Sequence, residues 1–165
     1  MTQDYSKTVN GQQFLITTDA HRMQLDRIHH YLSVESYWSK YVPMAIVKRS
    51  VENSLCFGVF HCVMDDWIQI GFARVITDRA TFAYLCDVYI EPDLRGQGLS
   101  KWMMECVQLH PDLQNLRRFL LATLDAHELY KKFGFEVSKT PERWMEIKNP
   151  DIYVEMNSGK KKSSF

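Results

Sequence analysis

The spacing of apolar residues changes several times along this chain, and each change predicts an element. A short β-branched run at 13–17 has strand character. Thr18 and Asp19 then offer side-chain caps for a helix whose apolar positions include Leu25, Ile28 and Leu32. Pro43 can open a second helix, with Met44, Val47 and Val51 along one face, ending near Asn53. From residue 55 the period changes. The runs 55–63, 67–77 and 81–90 are rich in Val, Ile, Phe, Tyr and Trp, and polar breaks at 64–66 and 78–80 separate them. Three strands joined by tight turns predict an antiparallel meander. Leu99, Trp102, Met103, Cys106 and Val107 then recur at helical spacing until His110-Pro111 stops them. A strand at 119–124, a short helix at 126–133 closed by Gly134, and a last hairpin from 135–137 and 144–147 follow. The order predicts an α+β fold, a mainly antiparallel sheet of about seven strands with about four helices on its faces.

Composition narrows the picture. The chain has 165 residues, enough for one domain with a sizeable core, expected here over 1–156. Lysine plus arginine equals aspartate plus glutamate at 20 each, so the basic excess of a nucleic-acid binder is missing. The one basic run, Lys160-Lys161-Lys162, lies in the end segment 157–165, expected to be a disordered tail. No run reaches the roughly 20 apolar residues of a membrane span, and residues 1–10 carry no signal-peptide pattern. Cys56, Cys62, Cys86 and Cys106 sit in apolar segments without C-x-x-C spacing, so they read as reduced core thiols of a cytoplasmic protein. His29 and His30 are adjacent and lack a carboxylate cluster, so no metal is expected.

Chemistry concentrates in one strand-to-helix segment, Asp87-Val88-Tyr89-Ile90-Glu91-Pro92-Asp93-Leu94-Arg95-Gly96-Gln97-Gly98-Leu99-Ser100-Lys101. A Gly-x-Gly turn before an amphipathic helix lets successive backbone N–H groups converge, and the helix N-terminus adds about half a positive charge. Arg95 and Lys101 flank it with full charges. The result is an anion site suited to phosphate. It is not a dinucleotide fingerprint: the third glycine is missing, with Lys at 101, and the turn follows a meander instead of opening a parallel sheet.

Arg95-Gly96-Gln97-Gly98-Leu99-Ser100 resembles the pyrophosphate-binding motif (Arg/Gln)-x-x-Gly-x-(Gly/Ala) of the GNAT N-acetyltransferases, with Ser100 departing at the last position. The preceding Asp-x-x-(Val/Ile)-x-Pro and the later Leu129-Tyr130-Lys131-Lys132-Phe133-Gly134-Phe135 resemble two further family signatures in the same order. The likeness spans about 14–147. It implies a sheet splayed between the family's fourth and fifth strands, with acetyl-CoA as co-substrate in the opening. By resemblance, the backbone of Val88, Tyr89 and Ile90 would pair with the acetyl carbonyl and the pantetheine arm, and amides from Gly96 through Gln97, Gly98, Leu99 and Ser100 to Lys101 would hold the pyrophosphate, with Arg95 beside them. Donors aimed at the thioester oxygen would stabilise the developing oxyanion. Thr123 stands where the family often has an asparagine that contacts the cofactor.

Tyr130 sits where the family commonly places a general acid, since a phenol can protonate a departing thiolate. A packed aromatic is the plain alternative. Deprotonating a lysine-like amine at pH 7 costs roughly 4–5 kcal/mol, so a proton acceptor is expected. Asp87 is the first candidate, with two other roles equally open: orienting a substrate ammonium, or a structural carboxylate. Asp125 and His127 are further candidates. The family's first helical region usually walls the acceptor pocket, which here brings in Glu35, Tyr37 and Trp38; Arg74 could recognise a substrate carboxylate, although an internal ion pair competes with that role. The expected activity is acetyl transfer to a primary amine, small molecule or peptide, by direct attack, without a covalent acyl-enzyme. The competing class is an acyl-CoA-binding module without turnover, and a longer acyl chain is a third option. Neither nucleic acid nor membrane is an expected partner, and family members are often homodimers.

Overall fold

The computed structural model describes residues 2–159. Six strands form one sheet in sequence order: β1 (Asp4–Val9), β2 (Gln12–Thr17), β3 (Leu55–Val63), β4 (Asp66–Thr77), β5 (Phe82–Ile90) and β6 (Arg118–Leu121). The first five pair antiparallel, and β6 pairs parallel to β5. Two-residue connections make the tight hairpins. Asn10 and Gly11 (φ 50° and 78°), and Met64 and Asp65 (φ 50° and 69°), take the positive φ values that match strand twist.

Alternate strand residues face opposite layers. One layer is α3 (Leu99–Leu109), whose Leu99, Met103, Met104 and Val107 pack on Phe14, Phe57, Val75 and Leu85. The other is α1 (Leu25–His30), the π-type turn Tyr31–Glu35 that extends it, and α2 (Met44–Glu52). There Ile28, Leu32, Val47 and Val51 cover Cys56, Phe72 and Tyr89. The chain closes with α4 (His127–Lys131) and α5 (Ile152–Asn157).

Several elements differ from expectation. β1 is an added strand, recruited by the Asn10-Gly11 turn. Asp19 caps a short 3-10 turn, Ala20–Arg22, through its bond from His21 N–H at 3.0 Å, and α1 begins later. The strand expected at 119–124 pairs only through Leu121. The hairpin expected from 135–137 and 144–147 does not form: the described residues there are irregular around the turn Pro141–Arg143, which leaves six strands instead of about seven. Residues 157–159 finish α5 and its turn, with Asn157 Nδ2 donating to the Tyr41 carbonyl at 2.9 Å. The rest of the expected tail, Lys160, Lys161 and Lys162 included, lies outside the described residues.

Candidate active site

The site begins with a fault in the sheet. Between β4 and β5 the register runs Phe72↔Tyr89 and then Arg74↔Cys86, so Asp87 and Val88 together oppose Ala73. This is a β-bulge, and within it Asp87 adopts the left-handed conformation, φ +54°. On the other side, β5 and β6 pair from Phe82↔Arg118 to Leu85↔Leu121 and no further. From Cys86 onward the two strands part, leaving one edge of β5 open. Gly71 lets β4 stay close to β5 at the open end: a Cβ there would lie 2.5 Å from Ile90 Cδ1 and 2.9 Å from the Tyr89 carbonyl oxygen.

Buried partners fix the bulge. Asp87 Oδ2 accepts from Arg74 Nε at 2.7 Å, and Asp87 Oδ1 accepts from Trp38 Nε1 at 3.1 Å. Arg74 also donates to Ser54 Oγ at 3.3 Å. Both carboxylate oxygens are therefore occupied, and Arg74 is committed inside the fold. Cys86 donates its thiol to the Arg74 carbonyl at 3.5 Å, and burial with the neighbouring Asp87 charge pushes that thiol up to about 12.

At the far end of β5 the chain turns into α3. Gly96 and Gly98 have φ +78° and +77°, and no atom stands within 4 Å of where a Cβ would be on either. The helix ladder begins with Trp102 N–H on the Gly98 carbonyl at 3.0 Å, so the amides of Leu99, Ser100 and Lys101 precede the first helical bond. The open space at both glycines leaves room for a phosphate group beside these amides. Arg95 braces the turn, donating from Nε to the Ile90 carbonyl at 2.9 Å and from Nη2 to Tyr31 Oη at 3.0 Å. Tyr31 in turn stacks on Tyr89 with ring centroids 3.6 Å apart. Lys101 is exposed and pairs with Glu105 at 3.8 Å.

The parting strands enclose a cleft of about 370 Å³, bordered by Cys86, Asp87 and Val88 on β5, by 122–126 beyond β6, and by Tyr130 of α4. Tyr37 and Trp38 line it as an edge-to-face pair with ring centroids 5.0 Å apart. Tyr130 is buried, and burial first, then Tyr37 and Asp125, pushes its phenol up to about 12. The hydroxyl therefore keeps its proton at neutral pH. A second cavity of about 460 Å³ runs along the free edge of β6 and shares Tyr84, Ala122, Thr123 and Tyr130 with the first.

The fold thus brings Tyr130, Asp87, Val88, Thr123, Tyr37 and Trp38 to one cleft. Thr123 Oγ1 accepts from Ala126 N–H at 3.0 Å and so shapes the entry to α4. Tyr89 turns into the core, and Glu35 stands outside the cleft, exposed and 3.9 Å from His30. Sequence reading missed α5, whose Tyr153 packs beside the second core layer and lies within electrostatic range of Asp87 and Arg74. Its signal was present: Asp151 followed by Ile152, Tyr153 and Met156 at helical spacing.

A family model described as an acetyltransferase (GNAT) domain matches residues 57–137. A Gibberella zeae protein named as an acetyltransferase is 33% identical over 72% of this chain and 76% of its own length. The chain belongs to the GNAT acetyltransferases. A crystal structure from Xanthomonas campestris pv. campestris, described as a GNAT-family acetyltransferase, superposes with TM-score 0.80 at 47% identity, covering 85% of this chain and 96% of that one. A Clostridium acetobutylicum acetyltransferase solved with acetyl-CoA shares the fold, with TM-score 0.59 at 17% identity over 90% and 96% of the two chains. This GNAT protein is accordingly an enzyme of acyl transfer. Among its described residues no helix is long and apolar enough to cross a membrane, and no group of three or more His, Cys, Asp or Glu could hold a metal.

Proposed function

We propose that this enzyme transfers the acetyl group of acetyl-CoA to a primary amine by direct attack in a ternary complex. The observation that carries the reading is the cleft between the parting β5 and β6, with a buried, protonated phenol on its wall. Acetyl-CoA supplies an activated thioester. The open edge at Val88 and Ile90 offers backbone groups to the pantetheine arm, and the amides of 96–101 offer donors to the pyrophosphate, with Ser100 in place of a smaller residue.

The ammonium first loses one proton to solvent past Asp125; the neutral amine then forms the C–N bond, and as the C–S bond breaks Tyr130 gives its proton to the departing thiolate and is reprotonated by the one the new amide nitrogen sheds. Of the three roles open to Asp87, the structural one is favoured, because Arg74 and Trp38 hold both of its oxygens. Arg74, spent on that pair, is no longer available to a substrate carboxylate. Glu35 stands off the cleft, which leaves Tyr37 and Trp38 as the acceptor wall. Cys86, kept as a thiol, is a poor nucleophile, which supports direct attack over an acyl-enzyme.

The test is thiol release from acetyl-CoA in the presence of pooled amines. Amine-dependent release that Tyr130→Phe suppresses, with acetyl-CoA binding retained, is the expected result. Saturable acetyl-CoA binding without release from any pool would overturn catalysis in favour of a binding module.

A further inference from the structure

We infer that the acceptor is a small primary amine with one positive charge, an apolar body and no carboxylate beside the amine, held with its ammonium at Asp125 and its body against Tyr37 and Trp38. The inference rests on the transferase reading above and narrows its substrate.

The charges lining the cleft carry the first step. Among the described residues that border it, none is Lys, Arg or His, and two are carboxylates. Asp87 is neutralised by Arg74. Asp125 is exposed and in no ion pair among the described residues. An acceptor carrying its own carboxylate or phosphate would be desolvated there without a cation to receive it. A polyamine would find one free carboxylate for several charges.

The walls carry the second step. Tyr37 is 58% exposed and Trp38 40%, and Leu124, which also lines the cleft, is 75% exposed. Large apolar groups left uncovered around a concave site are places where a ligand's apolar surface is buried. Trp38 is held in place by its bond to Asp87, so that wall is set before anything binds. The aromatic faces also attract an ammonium. Size follows from volume: about 370 Å³ must take the thioester end as well as the acceptor.

The decisive comparison is between 2-phenylethylamine and L-phenylalanine, which differ by the carboxylate alone. L-phenylalaninamide, which removes that charge, and spermidine, which adds positive ones, complete the set. The expected kcat/KM for 2-phenylethylamine is at least fiftyfold above those for phenylalanine and spermidine, with phenylalaninamide regaining most of the loss. Asp125→Asn should raise the amine KM at least tenfold and leave the acetyl-CoA KM within twofold. Phenylalanine or spermidine matching 2-phenylethylamine, or an unmoved amine KM in the variant, would overturn the inference. Should no amine release thiol, the transferase reading falls by itself. Thermal shift of the CoA-loaded protein then decides the cleft separately: stabilisation by 2-phenylethylamine and not by phenylalanine supports the inference, and any other pattern refutes it.

Discussion

Arg74 Nε lies 2.7 Å from Asp87 Oδ2, and this contact links the acceptor wall to the fault in the sheet. Asp87 is the residue in the left-handed conformation, and its other oxygen holds the Trp38 indole. A single carboxylate thus stabilises the bulge that interrupts β4–β5 pairing and orients an aromatic that lines the cleft. The pair is nearly buried on both sides, where removing one partner strands the other charge.

Asp87→Asn should therefore destabilise the fold by about 3 kcal/mol, read as a lower urea midpoint with an unchanged slope. Trp38→Phe keeps the charge pair and loses one bond to a charged acceptor, about 1.5 kcal/mol. In a double-mutant cycle the two should couple, because they share Asp87.

Tyr130→Phe removes the phenolic proton while keeping the ring that packs edge-on against Phe135 at 6.0 Å. Turnover should fall about a hundredfold with the acetyl-CoA KM unchanged. Since the phenol is raised to about 12, its proton is still in place at pH 10, so kcat should show no Tyr130-dependent decline up to that pH. A pH–rate profile of enzyme and variant checks both statements.

Two glycine substitutions should separate strain from clash. Gly98→Ala meets open space and costs about 1 kcal/mol through its left-handed backbone, yet should raise the acetyl-CoA KM severalfold. Gly71→Ala meets Ile90 and the Tyr89 carbonyl and should cost about 2 kcal/mol or more, with turnover damaged by the shifted β5. Unfolding and kinetics on the two proteins give the comparison.

His110 supplies a stability prediction with a sign. It is buried, its Nδ1 accepts from Asp112 N–H at 3.2 Å, and its Nε2 has no hydrogen-bond partner among the described residues. Its ring meets Phe57 edge-on, and Asp112 beside it pairs with Arg79 at 3.0 Å. Burial holds its pKa below the ordinary 6.5. The unfolded chain therefore binds the proton first, so the stability is complete above pH 6.5 and is lost as pH falls below it. Thermal midpoints should drop between pH 7 and pH 5, and His110→Asn should flatten that drop.

The parts legible in the sequence were those where local pattern and tertiary role agree. The meander, α2 between Pro43 and Asn53, α3 stopped by His110-Pro111, and the glycine turn all follow from spacing and backbone chemistry. The parts that were not legible depend on pairing between distant residues. β1 has no apolar alternation of its own and exists because β2 offers it an edge, although Asn10-Gly11 is a hairpin signal in plain view. The bulge at Asp87 cannot be read from a run of strand formers, because its cause is Arg74 on the neighbouring strand. In 144–147 a strand-like composition, Trp-Met-Glu-Ile, lacks the partner that would make it a strand.

The four-residue contact between β5 and β6 also bears on how the molecule assembles. β3 to β5 can zip along hairpins between near neighbours, whereas β2 meets β3 across the helical segment 18–54, and β6 reaches its parallel partner only after α3 has crossed over the sheet. Pairings that close long loops are slow to form, and short ones are easily undone. The opening between β5 and β6 thus exists only while α3 stays docked and this short pairing holds. A molecule can keep its five-stranded body and have no active site.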